Sequence, residues 1–140
     1  AYTVQLYRKE HGGKKPPANP RDAAWMRWRA SKLTQLMKKV FETVKSRNIH
    51  CLVALSPNSQ DFAYRHHLQD WHTWEQSGFI EELIVQVYRD DLSSFATELM
   101  RPEIVAARAH IPVGVGILAG LKDRPVSIAQ IQQQVQLVRA

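Results

Sequence analysis

Apolar residues recur at Trp25, Trp28, Leu33, Leu36, Met37, Val40, Phe41 and Val44, the three- and four-residue spacing of one face of a long helix. Asn19-Pro20 or Asp22 offers its start, and the helix is predicted to run to about Arg47. After Asn48 the period changes. Ile49-His50-Cys51-Leu52-Val53-Ala54-Leu55 is a nearly continuous apolar run closed by Ser56-Pro57-Asn58, as expected of a strand buried on both faces of a parallel sheet. Leu68, Trp71 and Trp74 predict a second helix ending at Gly78, and Leu83–Tyr88 a second buried strand. A third helix is predicted from Leu92 or Ser93 towards Ala109, broken or restarted at Arg101-Pro102 because proline cannot continue a helix. Val113–Leu118 reads as a third strand. Ser127 caps a last helix carrying Ile128, Ile131, Val135 and Val138.

The order is α-β-α-β-α-β-α, and each link between strands contains a helix, which predicts right-handed βαβ units in a parallel sheet. Three strands leave two unpaired edges, which proteins avoid. A (β/α)₈ barrel needs about 250 residues, so 140 residues with about three strands and four helices match roughly half of one. The predicted class is therefore α/β, a partial (β/α)₈ TIM barrel over residues 1–140, with 1–20 as a loop and linker into the long helix. A small doubly wound sheet, with Thr3–Tyr7 as a fourth strand, competes with it. The barrel is preferred because Tyr2, Val4 and Leu6 are followed by charges and by His11-Gly12-Gly13-Lys14-Lys15-Pro16-Pro17, not by a Gly-rich phosphate turn. The strand edges at Ile49–Leu55 and Val113–Leu118 must be covered, by the other half of the barrel or by self-association.

Composition narrows the class of protein. With 44% apolar and 23% charged residues the chain is globular, and no apolar run reaches the ~20 residues of a membrane span. Ala1–Tyr7 has no signal-peptide pattern, so any such peptide is expected to lie outside the chain. The single Cys51 excludes an internal disulfide and a cysteine zinc site. Residues 1–50 carry twelve Lys/Arg against three Asp/Glu, and 51–140 carry seven against ten. Such asymmetry suits phosphate contacts. Yet Arg27, Lys32, Lys38, Lys39, Lys45 and Arg47 interrupt the apolar pattern of the long helix as its wet face, and no nucleic-acid motif accompanies them.

In a barrel the active site lies at the C-terminal ends of the strands, which selects Ser56-Pro57-Asn58, Tyr88-Arg89-Asp90-Asp91 and Ala119-Gly120. Side chains alternate along a strand, so Leu83, Val85 and Val87 face the helices and Ile84, Gln86 and Tyr88 the other side, with Gly114, Gly116 and Gly120 leaving space beneath a site. Asp90-Asp91 is the adjacent carboxylate pair at a strand end, and Arg89 beside it would favour the ionised form. Either aspartate can instead cap the following helix. His66, His67, His72 and Asp70 lack the HExxH pattern, and no metal or other cofactor is expected. Trp71 and Trp74 can stack on sugar rings but sit at core spacing. Ser56 lacks a nucleophile elbow, and Cys51 is predicted to lie within an apolar strand.

Several segments together resemble the glycosyl-hydrolase-like family 10 proteins, especially those of the cyanobacterial type: Trp25-Met26-Arg27-Trp28-Arg29, Leu55-Ser56-Pro57-Asn58, Leu68-Gln69-Asp70-Trp71 with Gly78, and Glu82 to Asp91. The resemblance covers Tyr2 to Ala140 and implies the C-terminal half of a TIM-type barrel acting on glycosidic bonds. A carbohydrate substrate is then expected at the strand-end residues Asn58, Gln86, Tyr88 and Arg89, with catalysis by Asp90 or Asp91, and the resemblance implies a second carboxylate on a strand preceding Ala1. The segment alone is then expected to be inactive. A non-catalytic carbohydrate-binding or scaffold barrel is the alternative.

Overall fold

The computed structural model describes residues 2–140 and is built around a three-stranded parallel sheet. The strands are β1 (Ala54–Leu55), β2 (Glu82–Val87) and β3 (Val113–Ile117), in that spatial order. Leu83 lies beside Leu55 and Val113, and Gln86 beside Gly116. Around the sheet run α1 (Tyr2–Glu10), α2 (Ala23–Arg47), α3 (Gln60–His67), α4 (Trp71–Gln76), α5 (Leu92–Leu99), α6 (Pro102–Arg108) and α7 (Ile128–Arg139). A small antiparallel hairpin, β4 (Gly120–Leu121) with β5 (Arg124–Pro125), stands between β3 and α7. The fold is mixed α/β with parallel strands, compatible with part of a larger α/β architecture.

The alternation read in β2 is the organising feature. Leu83, Val85 and Val87 are buried and pack with Trp71, Trp74, Ile80, Phe95 and Ile104 in one core, to which Val113, Val115 and Ile117 add from β3. Every helix from α2 to α7 supplies residues to that core. Ala54, Ile84, Gln86, Gly114 and Gly116 occupy the other face and do not belong to it. The sheet is thus covered by helices on one side only. A methyl group at Gly114 would touch Ile84, and one at Gly116 would lie 3.6 Å from the Gln86 backbone, so the glycines keep this face shallow.

Local chemistry sets the ends of the elements. The Asp22 carboxylate accepts from the Trp25 N–H at 2.9 Å, which satisfies one of the free donors at the start of α2. The α2 C-terminus is at Arg47, as the periodicity predicts. The long third helix divides as expected at Arg101-Pro102, with Pro102 opening α6, where its missing N–H costs nothing.

Four expectations are corrected. Tyr2–Glu10 is a helix, neither a fourth strand nor a loop, and only Ala1 of that stretch lies outside the described residues. Its apparent alternation is overridden by docking: Tyr7 stacks on His11 one turn later and meets Trp25 and Trp28 edge-on, while Glu10 accepts from Trp28 Nε1 at 2.9 Å and pairs with Lys32 at 2.6 Å. The run Ile49–Leu55 yields only a two-residue strand. Ile49 and Leu52 are about two-thirds exposed, and Lys45 Nζ takes the Cys51 carbonyl at 2.7 Å while Glu81 takes the Val53 N–H at 2.9 Å, so side chains occupy groups a ladder would use. Cys51 is accordingly exposed in a loop. Finally, α3 and the β4–β5 hairpin are additional to the predicted elements; α3 buries only Ala63, so no apolar stripe announces it, and the helices number seven among the described residues.

Candidate functional site

The C-terminal end of β2 gathers most of the predicted residues. Gln86 donates from its backbone to the Pro57 carbonyl and from Nε2 to the Ser56 carbonyl, both at 2.8 Å, so it ties the ends of β1 and β2 together. The Asn58 carbonyl accepts from Trp71 Nε1 at 3.0 Å, which fixes that turn against the core. Trp71 and Trp74 are both buried there, where neither can stack on a sugar. Tyr88 lies beyond β2 and is 40% exposed, enough for its ring to meet a ligand.

The charged residues after Tyr88 take separate roles. Arg89 turns to Glu98 of α5, its Nη2 2.8 Å from Oε1, and does not pair with either neighbouring aspartate. Its carbonyl accepts from Nε2 of the buried Gln134 of α7. Asp90 is held from the other side: Arg124 of the hairpin places Nε and Nη2 at 2.9 and 2.5 Å from Oδ1, and Gln130 donates to the Asp90 carbonyl. Asp90 Oδ2 remains open to solvent, with no hydrogen bond from the described residues. Asp91 caps α5, its Oδ1 accepting from the Ser94 N–H at 2.8 Å, and that bond holds its carboxyl below the ordinary carboxylate value. An acid so held stays ionised near neutrality and cannot donate a proton there.

Glu98 is a buried carboxylate that the sequence reading did not single out. It is 7% exposed and accepts from Arg89 and from Arg101, the latter through Nε at 2.7 Å and Nη2 at 3.0 Å. Burial pushes its pKa up, but hydrogen bonds and charge from Arg101 and Arg89 outweigh this and hold it below its ordinary value. The spacing of three between Glu98, at the end of α5, and Arg101, just before α6, was its available signal. Gln130 and Gln134, one turn apart on α7, carried a similar one. Arg124 carried none, because only the hairpin brings it to Asp90.

Among the described residues, no group of three His, Cys, Asp or Glu side chains is placed to hold a metal. The histidine-rich segment is dispersed: Asp70 accepts from Gln60 and Thr73, His66 and His67 flank Phe62, and His72 Nδ1 stands 4.0 Å from Glu75. Several lysines of α2 are neutralised locally, Lys32 by Glu10, Lys38 by Glu42 and Lys45 by Glu81. No helix among the described residues is long and apolar enough to cross a membrane.

The strand end therefore presents Tyr88, Asp90 and the side chain of Gln86 beside a shallow glycine-lined face, a combination of ring, carboxylate and amide that can hold a polyhydroxylated ligand. A comparison with protein-family models matches residues 1–138 to the family described as glycosyl hydrolase-like 10. No curated protein and no solved structure matches the chain.

Proposed function

The chain belongs to the glycosyl hydrolase-like 10 family, and from that premise we propose that it forms part of a (β/α)₈ barrel that binds carbohydrate at the ends of its strands and hydrolyses O-glycosidic bonds. The observation that carries this is the one-sided sheet: helices cover the Leu83–Val85–Val87 face, while Gln86, Gly114 and Gly116 line a face that a closed barrel would turn inward. In this reading Asn58, Gln86 and Tyr88 bind the sugar, and Asp90 accepts a hydroxyl or acts as base through Oδ2. Arg89 and Asp91 support the strand end, Arg89 through Glu98 and Asp91 as the cap of α5. Glycosidases use two carboxyl groups flanking the scissile bond. The proton donor then comes from strands outside these three, and the segment alone binds without turning over.

Binding of a panel of fluorescent oligosaccharides to this chain tests the site. Tyr88→Ala and Asp90→Asn, both at exposed positions, are expected to weaken binding about tenfold each, the scale of one lost stacking or charge-assisted contact. Unchanged affinity in both would overturn the assignment. A second reading, a carbohydrate-binding barrel without catalysis, is favoured by the commitment of Asp91 and Glu98 to structural partners. Turnover by a longer protein carrying this segment within a complete barrel, abolished by Asp90→Asn, would exclude it.

A further inference from the structure

A cavity of about 610 Å³ lies between the start of α2 and α3, and none of Asn58, Gln86, Tyr88 or Asp90 lines it. Arg21, Arg27, Arg65, His66, Asp61 and Tyr64 line it, and an adjoining groove of about 300 Å³ shares Arg21, Arg65 and His66. Arg65 pairs with Asp61 at 2.8 Å. Arg21 and Arg27 have no carboxylate partner among the described residues, so the cavity holds two uncompensated guanidinium groups.

We propose that this cavity is an anion subsite for a saccharide carrying carboxylate or sulfate groups, an inference that rests on the carbohydrate reading of the family and names its substrate class. Guanidinium groups present planar donor forks that match a carboxylate or sulfate edge. Concave walls concentrate their field. The segment that delivers Arg21 is held in place: Arg29 donates to the Pro20 carbonyl while its guanidinium lies 4.9 Å from the Trp25 ring, and the Arg21 N–H donates to Asn19 Oδ1 at 2.9 Å. The remaining walls suit a sugar over a polyphosphate chain. Tyr64, Met26 and Ala23 offer an apolar surface for the C–H face of a ring, and the Asp61 carboxylate, paired with Arg65, can accept sugar hydroxyls. The volume lies within the range of small-molecule sites.

Calorimetry at low salt with hexa-galacturonate, a chondroitin sulfate hexasaccharide and neutral cellohexaose tests the inference. The charged hexasaccharides are expected to bind at least tenfold tighter than the neutral one. The double variant Arg21→Gln/Arg27→Gln, altered only at exposed positions, is expected to lose that advantage and flatten its salt dependence while leaving neutral binding unchanged. Equal binding of charged and neutral sugars, or an indifferent double variant, would overturn the subsite; Tyr88→Ala then reports separately whether the strand-end site stands. Inorganic sulfate bound as tightly as the hexasaccharides would reduce the cavity to a bare anion pocket. Preference for a single-stranded oligonucleotide of equal charge would replace the saccharide with nucleic acid.

Discussion

Replacing Glu98 by Gln removes the charge at the centre of the Arg89–Glu98–Arg101 cluster while preserving its shape. The wild-type carboxylate accepts three hydrogen bonds, at 2.8 Å from Arg89 and at 2.7 and 3.0 Å from Arg101. Hydrogen bonds to charged groups contribute about 1.5–3 kcal/mol each. The full sum is not lost, because the amide oxygen still accepts one bond and both guanidiniums, 38% exposed, recover hydration and are screened. Against this, the amide nitrogen turns a donor towards donors, on a residue only 7% exposed. The net cost expected is about 2–3 kcal/mol, a fall in Tm of roughly 6–10 °C for a domain of this size. Urea titrations at pH 7 with a shared m value measure it. The pH dependence supplies a second reading. The folded-state pKa of Glu98 is lowered, so its stabilisation is fully present above the unfolded value of about 4.3 and is lost as pH falls through the lower folded value. The gap between wild type and variant should be flat from pH 6 to 8 and close below about pH 4. A gap under ~0.5 kcal/mol at pH 7, or one that persists unchanged to pH 3, would refute the reasoning.

Three further outcomes follow from the same geometry. Ser127→Ala removes the side chain that accepts from the Gln130 N–H at 3.2 Å and should cost about 1 kcal/mol by urea denaturation, whereas Ser127→Asp should not. Gly116→Ala places its methyl 3.6 Å from the Gln86 backbone, an ordinary contact, so stability should hold or rise by about 0.5–1 kcal/mol while oligosaccharide affinity falls; a fall in stability would show that this face is already packed. Arg124→Ala breaks an exposed pair with Asp90 and should change stability by less than ~1 kcal/mol, yet weaken oligosaccharide binding because the Asp90 carboxylate loses the partner that holds it in place.

Much of the fold was legible from local pattern. The α2 periodicity, the β2 alternation, the proline break before α6 and the Ser127 cap each depend on residues within a turn or two of one another, and each is found. The candidate residues at the strand ends were legible for the same reason, since alternation and strand ends are local properties. Partners were not. Arg89 chose Glu98 over its sequence neighbours because α5 folds back beside β2, and Asp90 found Arg124 because the hairpin after β3 returns to it.

The sequence by itself determined which faces of β2 and β3 meet the helices, where α2, α6 and α7 begin, and that Asp90 and Asp91 stand at a strand end. Tertiary structure decided what a period of two or 3.6 cannot encode. Tyr2–Glu10 became helix because Tyr7 and Glu10 found Trp25 and Trp28, and Ile49–Val53 stayed irregular because Lys45 and Glu81 occupied its backbone groups. It also gathered Arg21, Arg27 and Arg65 around one cavity from two helices and a loop. Each of these rests on contacts between segments distant in the chain, whose energies add only after the chain has folded and so leave no periodic trace in the residues themselves.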